Sequence, residues 1–154
     1  MYMAQDSKAI DQQQDAIIAA FATLGNDRLA MLDYLIDIGT ALPTMASCYK
    51  TENHLVQGCM SKVWLVDRES EGLLFFQADS NTAITKGLIA LLLQVLSGQP
   101  GQAIAAAELY FMEAIGMHAL IGFQRSSGLA HMIKTIKLKA VARLAQTAPC
   151  CHTC

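Results

Sequence analysis

One stretch of the chain is apolar on almost every side of the helix that it would form. The run covers residues 88–96 with a single interruption at Gln94, and Ser80 before it and Gly98 with Pro100 after it are typical helix boundaries. A helix that is apolar all round must be surrounded by the rest of the protein. The run is far shorter than the ~20 apolar residues that a membrane span needs. We therefore predict a central core helix and no membrane segment.

Helical periodicity recurs on both sides of this stretch. Apolar residues between Ile17 and Leu24 have helical spacing, and Gly25 ends that helix, while Asn26 is a candidate N-cap for the next. The further helices predicted from spacing are residues 26–39, two short pieces at residues 102–107 and 108–115, and a last helix from Ser126 or Ser127 to about Ala145. Residues 116–123 are predicted to form a loop or a short turn.

Two short runs have strand composition instead. Residues 62–67 and 73–78 are rich in Val, Leu, Trp and Phe, and the turn residues 68–72 separate them. They predict an antiparallel hairpin with apolar side chains on both faces, so helices should cover the sheet. The predicted fold class is therefore α+β, with a small antiparallel sheet of two or three strands packed against several helices.

Length and charge limit the possible functions. A chain of 154 residues predicts one domain over residues 1–154. Within it, the polar leader at residues 1–10 and the cysteine-rich tail at residues 146–154 are expected to be flexible. A net charge of −2 provides no excess of positive charge with which to bind nucleic acid. The N-terminus lacks the basic and apolar regions of a secretion signal, so we expect a cytoplasmic protein, either a monomer or a homodimer.

The cysteines point to thiol chemistry rather than to disulfides. There are five, an odd number, in a chain without an export signal. Cys59 follows Gly58 where a loop enters the first strand, a position from which a scaffold can present a reactive sulfur. A free cysteine beside Met60 and Val63 is nevertheless more often a small core hydrophobe. Local spacing alone therefore favours a structural role for Cys59.

The chain ends in a second group of sulfur ligands. Thiolates and imidazole bind zinc, and the last five residues contain three cysteines and His152. The group lacks a second set of ligands and a folded scaffold to hold it. An adventitious soft-metal site or an unstructured tail is therefore the favoured interpretation. We predict no resident metal site and no cofactor.

Three blocks of sequence resemble the SufE family of sulfur acceptors for cysteine desulfurases. In chain order they are Val56-Gln57-Gly58-Cys59 with Ser61 and Val63-Trp64, then Asp79-Ser80 with Ala83-Ile84 and residues 86–90, then Arg125-Ser126-Ser127-Gly128-Leu129. Their common order makes a chance match much less probable than for any block alone. The chain departs from the family pattern where Ala78 replaces a frequent glycine, Asn81 replaces a frequent acid, and the usual proline before Arg125 is missing.

The resemblance implies a sulfur carrier rather than an enzyme. Cys59 would take sulfane sulfur as a persulfide from a pyridoxal-phosphate cysteine desulfurase of the SufS type, stimulate that enzyme, and pass the sulfur to a downstream iron–sulfur scaffold. Gln57, Gly58, Asp79 and Arg125 would bind the partner or support the site, although an Asp and an Arg before helices are by default structural residues. A third short strand near residues 55–57 is implied as well.

The alternative is an iron–sulfur scaffold of the IscU type or a metal-binding protein. A scaffold would need three spaced cysteines around one site, whereas only Cys48 and Cys59 fall in the predicted folded region.

The apolar neighbours of Cys59 would disfavour its ionised form, the thiolate. We therefore expect a thiol that is sheltered in the free protein.

Overall fold

Seven helices and a three-stranded antiparallel sheet form the described part of the chain, which in the computed structural model is residues 2–146, with side chains from residue 8 on. The helices are α1 (Tyr2–Ala22), α2 (Arg28–Thr40), α3 (Ala83–Leu96), α4 (Gly101–Ala106), α5 (Phe111–Ala114), α6 (Met117–Ile121) and α7 (Phe123–Ala145). The strands are β1 (Val63–Ser70), β2 (Leu73–Ser80) and β3 (Gln99–Pro100), and two 3-10 turns, Ser47–Tyr49 and Glu52–His54, precede β1. The predicted α+β class is confirmed.

The β1–β2 hairpin is longer than its apolar runs suggested. Its ladder extends from the pair Val63 and Ser80 to the pair Ser70 and Leu73. Glu71 and Gly72 form the connection with φ angles of 52° and 79°. Two left-handed residues in a row give a turn whose twist matches that of the strands, so two residues are enough to connect them. The predicted turn over residues 68–72 is therefore mostly strand.

The third strand is not at residues 55–57. There the structure has one isolated bridge between Leu55 and Trp64. The third strand is β3, which pairs with the start of β2 in the sheet order β1-β2-β3. Gly98 adopts a left-handed φ of 83° and donates its N–H to the Leu74 carbonyl at 2.6 Å. This turn after α3 brings Pro100 to the sheet edge, where a residue without an N–H is tolerated.

The apolar stretch is the central helix, as predicted. Leu88, Ile89, Leu92, Val95 and Leu96 of α3 are each at most 1% exposed. No helix among residues 2–146 is long and apolar enough to cross a membrane.

Helix α2 lies directly against α3. A Cβ added to Gly39 would lie 2.6 Å from the Gly87 nitrogen, and a Cβ on Gly87 would overlap the Leu35 carbonyl. The two backbones therefore meet without side chains between them. This contact fixes the start of α3, which in turn carries part of the cysteine site.

Helix α1 extends into the region that the sequence analysis set apart as a leader. It begins at Tyr2, and Ile10 is only 2% exposed. Gln14 is fully buried, and its amide is satisfied by two hydrogen bonds: it donates to the Glu108 carbonyl at 3.0 Å and accepts from the Phe111 N–H at 3.2 Å. These bonds join α1 to the segment that leads into α5. The tail that was predicted to be flexible spans residues 146–154, of which residues 147–154 lie outside the described residues.

Several helix starts differ from the predicted ones. Asp27, not Asn26, caps α2, since its carboxylate accepts the Ala30 N–H at 3.1 Å. No side chain caps α3, and residues 117–121 are helical rather than a loop. Helix α7 begins at Phe123, before the predicted serine caps. Arg125 therefore lies inside the first turn of α7 and not ahead of it.

Candidate functional site: a cysteine in a cleft

The cysteine loop, residues 57–61, is anchored firmly at its C-terminal end. Ser61 accepts hydrogen bonds from the hydroxyls of Thr82 at 2.9 Å and Thr85 at 3.3 Å. The next residue, Lys62, exchanges bonds with Asn81: its N–H donates to the Asn81 side chain at 3.0 Å, and its carbonyl accepts the Asn81 N–H at 3.2 Å. This end of the loop is therefore attached to the start of α3.

The middle of the loop lies against α7. Cys59 is half-buried, and its thiol donates a hydrogen bond from Sγ to the Gly128 carbonyl at 3.4 Å. A Cβ on Gly128 would be 3.5 Å from that sulfur. An added methyl group would therefore be in ordinary van der Waals contact with the sulfur, which lies directly against this part of the helix.

Gly58 meets the same helix one turn further on. Its φ of 91° lies in the left-handed region, and an added Cβ would lie 2.5 Å from Cγ of the His131 ring. No real Cβ contact is that short, so any larger residue would have to push the ring or the loop away. Glycine is required at residue 58 both by the backbone angle and by the imidazole.

A small cleft of about 190 Å³ opens beside the sulfur. It is lined by Cys59, Met60, Ser61, Thr85, Gln124, Arg125, Gly128 and Met132. At its edge Met60 is 80% exposed, and Phe123, next to Gln124, is 89% exposed. Arg125 brings the one charged side chain of the lining and donates to the Ile121 carbonyl at 3.3 Å. The cleft can admit a group of the size of a cysteine side chain.

The surroundings of Cys59 disfavour its ionised form. Burial raises the pKa of the Cys59 thiol above its ordinary value, because the thiolate loses water contacts. At neutral pH the sulfur is therefore largely protonated. The thiolate is the nucleophile in sulfur exchange, so burial favours the less reactive form of this cysteine.

Asp79 lies at the end of β2 and is only 5% exposed. Burial alone would raise the pKa of its carboxyl, but hydrogen bonds from Lys50, the Ser80 N–H and Lys86 outweigh that effect and lower it. The ion-pair distances are 2.9 Å to Lys50 Nζ and 3.3 Å to Lys86 Nζ. Lys50 Nζ also lies 5.6 Å from the centroid of the Trp64 ring. The carboxylate thus joins the segment before the cysteine loop to α3.

The structure assembles part of the predicted set of site residues. Gly58 and Cys59 contact α7, and Arg125 lines the cleft with the sulfur. Gln57 is exposed on the loop, and neither it nor Asp79 lines the cleft. Partner binding by these two residues stays a prediction.

Two residues of α7 that contact the cysteine loop, Gly128 and His131, were not predicted as site residues. Gly128 carried a signal, since a glycine inside a helix costs about 1 kcal/mol relative to alanine and often marks a close approach. His131 carried none. The other cysteine of the described chain, Cys48, is exposed in the turn Ser47–Tyr49. Within residues 2–146, no three His, Cys, Asp or Glu side chains are grouped closely enough to hold a metal ion.

The fold is thus an α+β domain that places a half-buried thiol between a hairpin and a long helix. The family model described as "SufE: Fe-S metabolism associated domain" matches residues 15–140. The chain belongs to the SufE family, and its role is in iron–sulfur metabolism.

Relatives of the same name agree with this assignment. An uncharacterized SufE-like protein of Rhizobium etli is 38% identical over 73% of this chain and 79% of its own length. Another from Rhizobium meliloti is 36% identical over 84% of this chain and 96% of its own length. SufE-like protein 1, chloroplastic/mitochondrial, of Arabidopsis thaliana is 34% identical over 73% of this chain but 30% of its own length.

A solved structure supports the fold. The solution structure of a hypothetical protein from Thermus thermophilus superposes with a TM-score of 0.72. It covers 87% of this chain and 97% of the other, at 15% identity. At that identity the likeness concerns the fold alone.

Proposed function

We propose that this protein is a sulfur acceptor whose Cys59 takes sulfane sulfur from a pyridoxal-phosphate cysteine desulfurase and passes it on for iron–sulfur cluster assembly. The observation that carries the proposal is the half-buried Cys59 thiol, which lies beside a cleft wide enough for one incoming cysteine side chain. Two of the three matching sequence blocks support it, because Cys59 from the first block and Arg125 from the third line that cleft together. The protein acts as a carrier and activator, and cytoplasmic location remains the accompanying prediction.

The proposed step is a thiol exchange. The Cys59 thiol loses its proton, and the thiolate attacks the outer sulfur of the desulfurase persulfide. A new S–S bond forms on Cys59, while the S–S bond of the donor breaks and its electron pair stays on the donor cysteine as a thiolate. The sulfane sulfur keeps its oxidation state throughout, so no external oxidant or reductant is needed.

The scaffold alternative is less well supported by the described residues. A cluster scaffold needs several ligands around one site, but Cys59 shares its cleft with Ser61, Thr85 and Met132. Hydroxyls and a thioether are poor substitutes for thiolates in holding iron. One thiol suffices for sulfur acceptance because the second sulfur comes from the partner.

The test is direct detection of the persulfide. Purified protein is incubated with a pyridoxal-phosphate cysteine desulfurase and cysteine, and intact mass is measured before and after reduction. The wild type and a Cys48→Ser control should gain one reducible sulfur atom and should stimulate the desulfurase. Cys59→Ser should do neither. A Cys59→Ser protein that stimulates fully while Cys48→Ser does not would show that the acceptor has been misassigned.

A further inference from the structure

Three residues on one face of α7 lie against the cysteine loop. Gly128, His131 and Met132 are spaced three and four residues apart, so they lie on the same side of the helix. The Gly128 carbonyl accepts from the Cys59 thiol, Met132 lines the cleft beside that sulfur, and the His131 ring abuts Gly58. The loop therefore lies along this face between its two attachment points in the sheet and α3.

The two described contacts of the loop with α7 differ in kind. A thiol is a weak donor, and the Sγ to oxygen distance of 3.4 Å adds little binding energy. The imidazole, by contrast, fills the space that a Cβ on residue 58 would occupy. Gly58 and His131 are thus complementary in shape: the glycine permits the ring, and the ring supports the left-handed glycine.

We infer that His131 is a positioning residue that holds the cysteine loop against α7 and thereby sets how far Cys59 is sheltered. This rests on the proposed function in one respect, since it assigns a role to His131 in the reactivity of the accepting thiol. Without the ring, a gap opens beside Gly58, and the middle of the loop is held less firmly, by the thiol hydrogen bond and by the packing of Cys59 against the core. The Cys59 sulfur is then exposed more often.

The test measures alkylation of Cys59 by iodoacetamide in full-length protein with Cys48, Cys150, Cys151 and Cys154 replaced by serine. His131→Ala should react about tenfold faster than this parent, a factor that corresponds to about 1.4 kcal/mol. His131→Phe keeps a planar ring and should restore slow alkylation. The control is His118→Ala, which removes an exposed histidine on α6 and should leave the rate unchanged. Equal rates for the parent and a folded His131→Ala protein would overturn the inference.

A second pair of variants tests the contact itself. Gly58→Ala should accelerate alkylation, because the new Cβ meets the ring. The same substitution in the His131→Ala background should add much less, since only the backbone strain at residue 58 remains. Equal increments in both backgrounds would show that the ring does not position the loop, and this comparison holds even if one single variant is destabilised.

The outcome is independent of the desulfurase. If the His131 variants behave as expected but the wild type never gains sulfur from a desulfurase, the loop inference stands and the proposed function is wrong. If sulfur transfer succeeds while the alkylation rates do not respond to His131, the proposed function stands and this inference is wrong.

Discussion

Asp79→Asn should reveal how much the buried carboxylate contributes to stability. The change keeps the shape and the acceptor for the Ser80 N–H, but it removes the charge that pairs with Lys50 and Lys86. Breaking a fully buried pair costs about 3–5 kcal/mol and an exposed pair about 0–1. The carboxylate here is 8% exposed and the two lysines are about a third exposed. We therefore expect a loss of about 2 kcal/mol at pH 7, or about 4–8 °C in Tm.

The difference between the wild type and Asp79→Asn should disappear in acid. The folded-state pKa of Asp79 is lowered, so its contribution is fully present above the unfolded value of about 3.9. It is lost as the pH falls through the lower folded-state pKa, because a protonated Asp79 is as neutral as asparagine. The free-energy difference should therefore be about 2 kcal/mol at pH 7 and should shrink progressively below about pH 4.

Urea unfolding followed by tryptophan fluorescence provides the assay. Trp64 is the only tryptophan of the chain and pairs with Asp79 across the ladder. Glu69→Gln is the matched control, since it neutralises an exposed acid on β1 and should change the free energy of unfolding by less than about 0.5 kcal/mol. An Asp79→Asn protein as stable as the wild type at pH 7, or a deficit of the same size at low pH, would refute the reasoning.

Three further outcomes are expected. Gly87→Ala should lower the free energy of unfolding by about 3 kcal/mol, because its Cβ meets the α2 backbone. Gly101→Ala is the control: its Cβ would have its nearest contact at 3.4 Å, and it should cost less than about 1 kcal/mol. Urea unfolding measures both. The hydrogen bond to Asp15 raises the pKa of Tyr110 to about 12, so Asp15→Asn should move one tyrosine ionisation to lower pH in an absorbance titration. Deleting residues 149–154 should preserve folding and sulfur acceptance, and joint loss of activity and stoichiometric zinc would contradict this.

Local pattern was enough to predict the central elements of the fold. The all-round apolarity of α3 and the two strand-like runs depend on neighbours in sequence, and both elements form as expected. The strand Gln99–Pro100 is two residues long, too short to show any period. The burial of Gln14 could not be predicted, because its partners, the backbone groups of Glu108 and Phe111, are remote in the chain. Only the tertiary structure supplies the hydrogen-bond partners of such a buried side chain.

The candidate site likewise combines residues that the sequence indicated with contacts that depend on the fold. The sequence blocks pointed to Cys59 and Arg125, which line one cleft, and to Gly58, which contacts α7. Asp79 occupies a polar position in one of these blocks, and its place near the partner-facing surface stays a prediction. Its ion pairs with the lysines at residues 50 and 86 depend on the fold and could not be read from the sequence. Only the folded chain brings His131 to Gly58, so no pattern around either residue could have indicated their contact.

The way in which the loop is held couples the access of the thiol to its ionisation. The contacts with α7 that shelter Cys59 also desolvate it, and this burial is what raises its pKa. Moving the loop away from Gly128 and His131 would expose the sulfur and, by the same step, return its pKa toward the ordinary value. A docking desulfurase would therefore obtain access and a larger thiolate fraction from one displacement, without a dedicated base. While the loop stays on α7, other thiols meet a sulfur that is half-buried and whose raised pKa favours the protonated form.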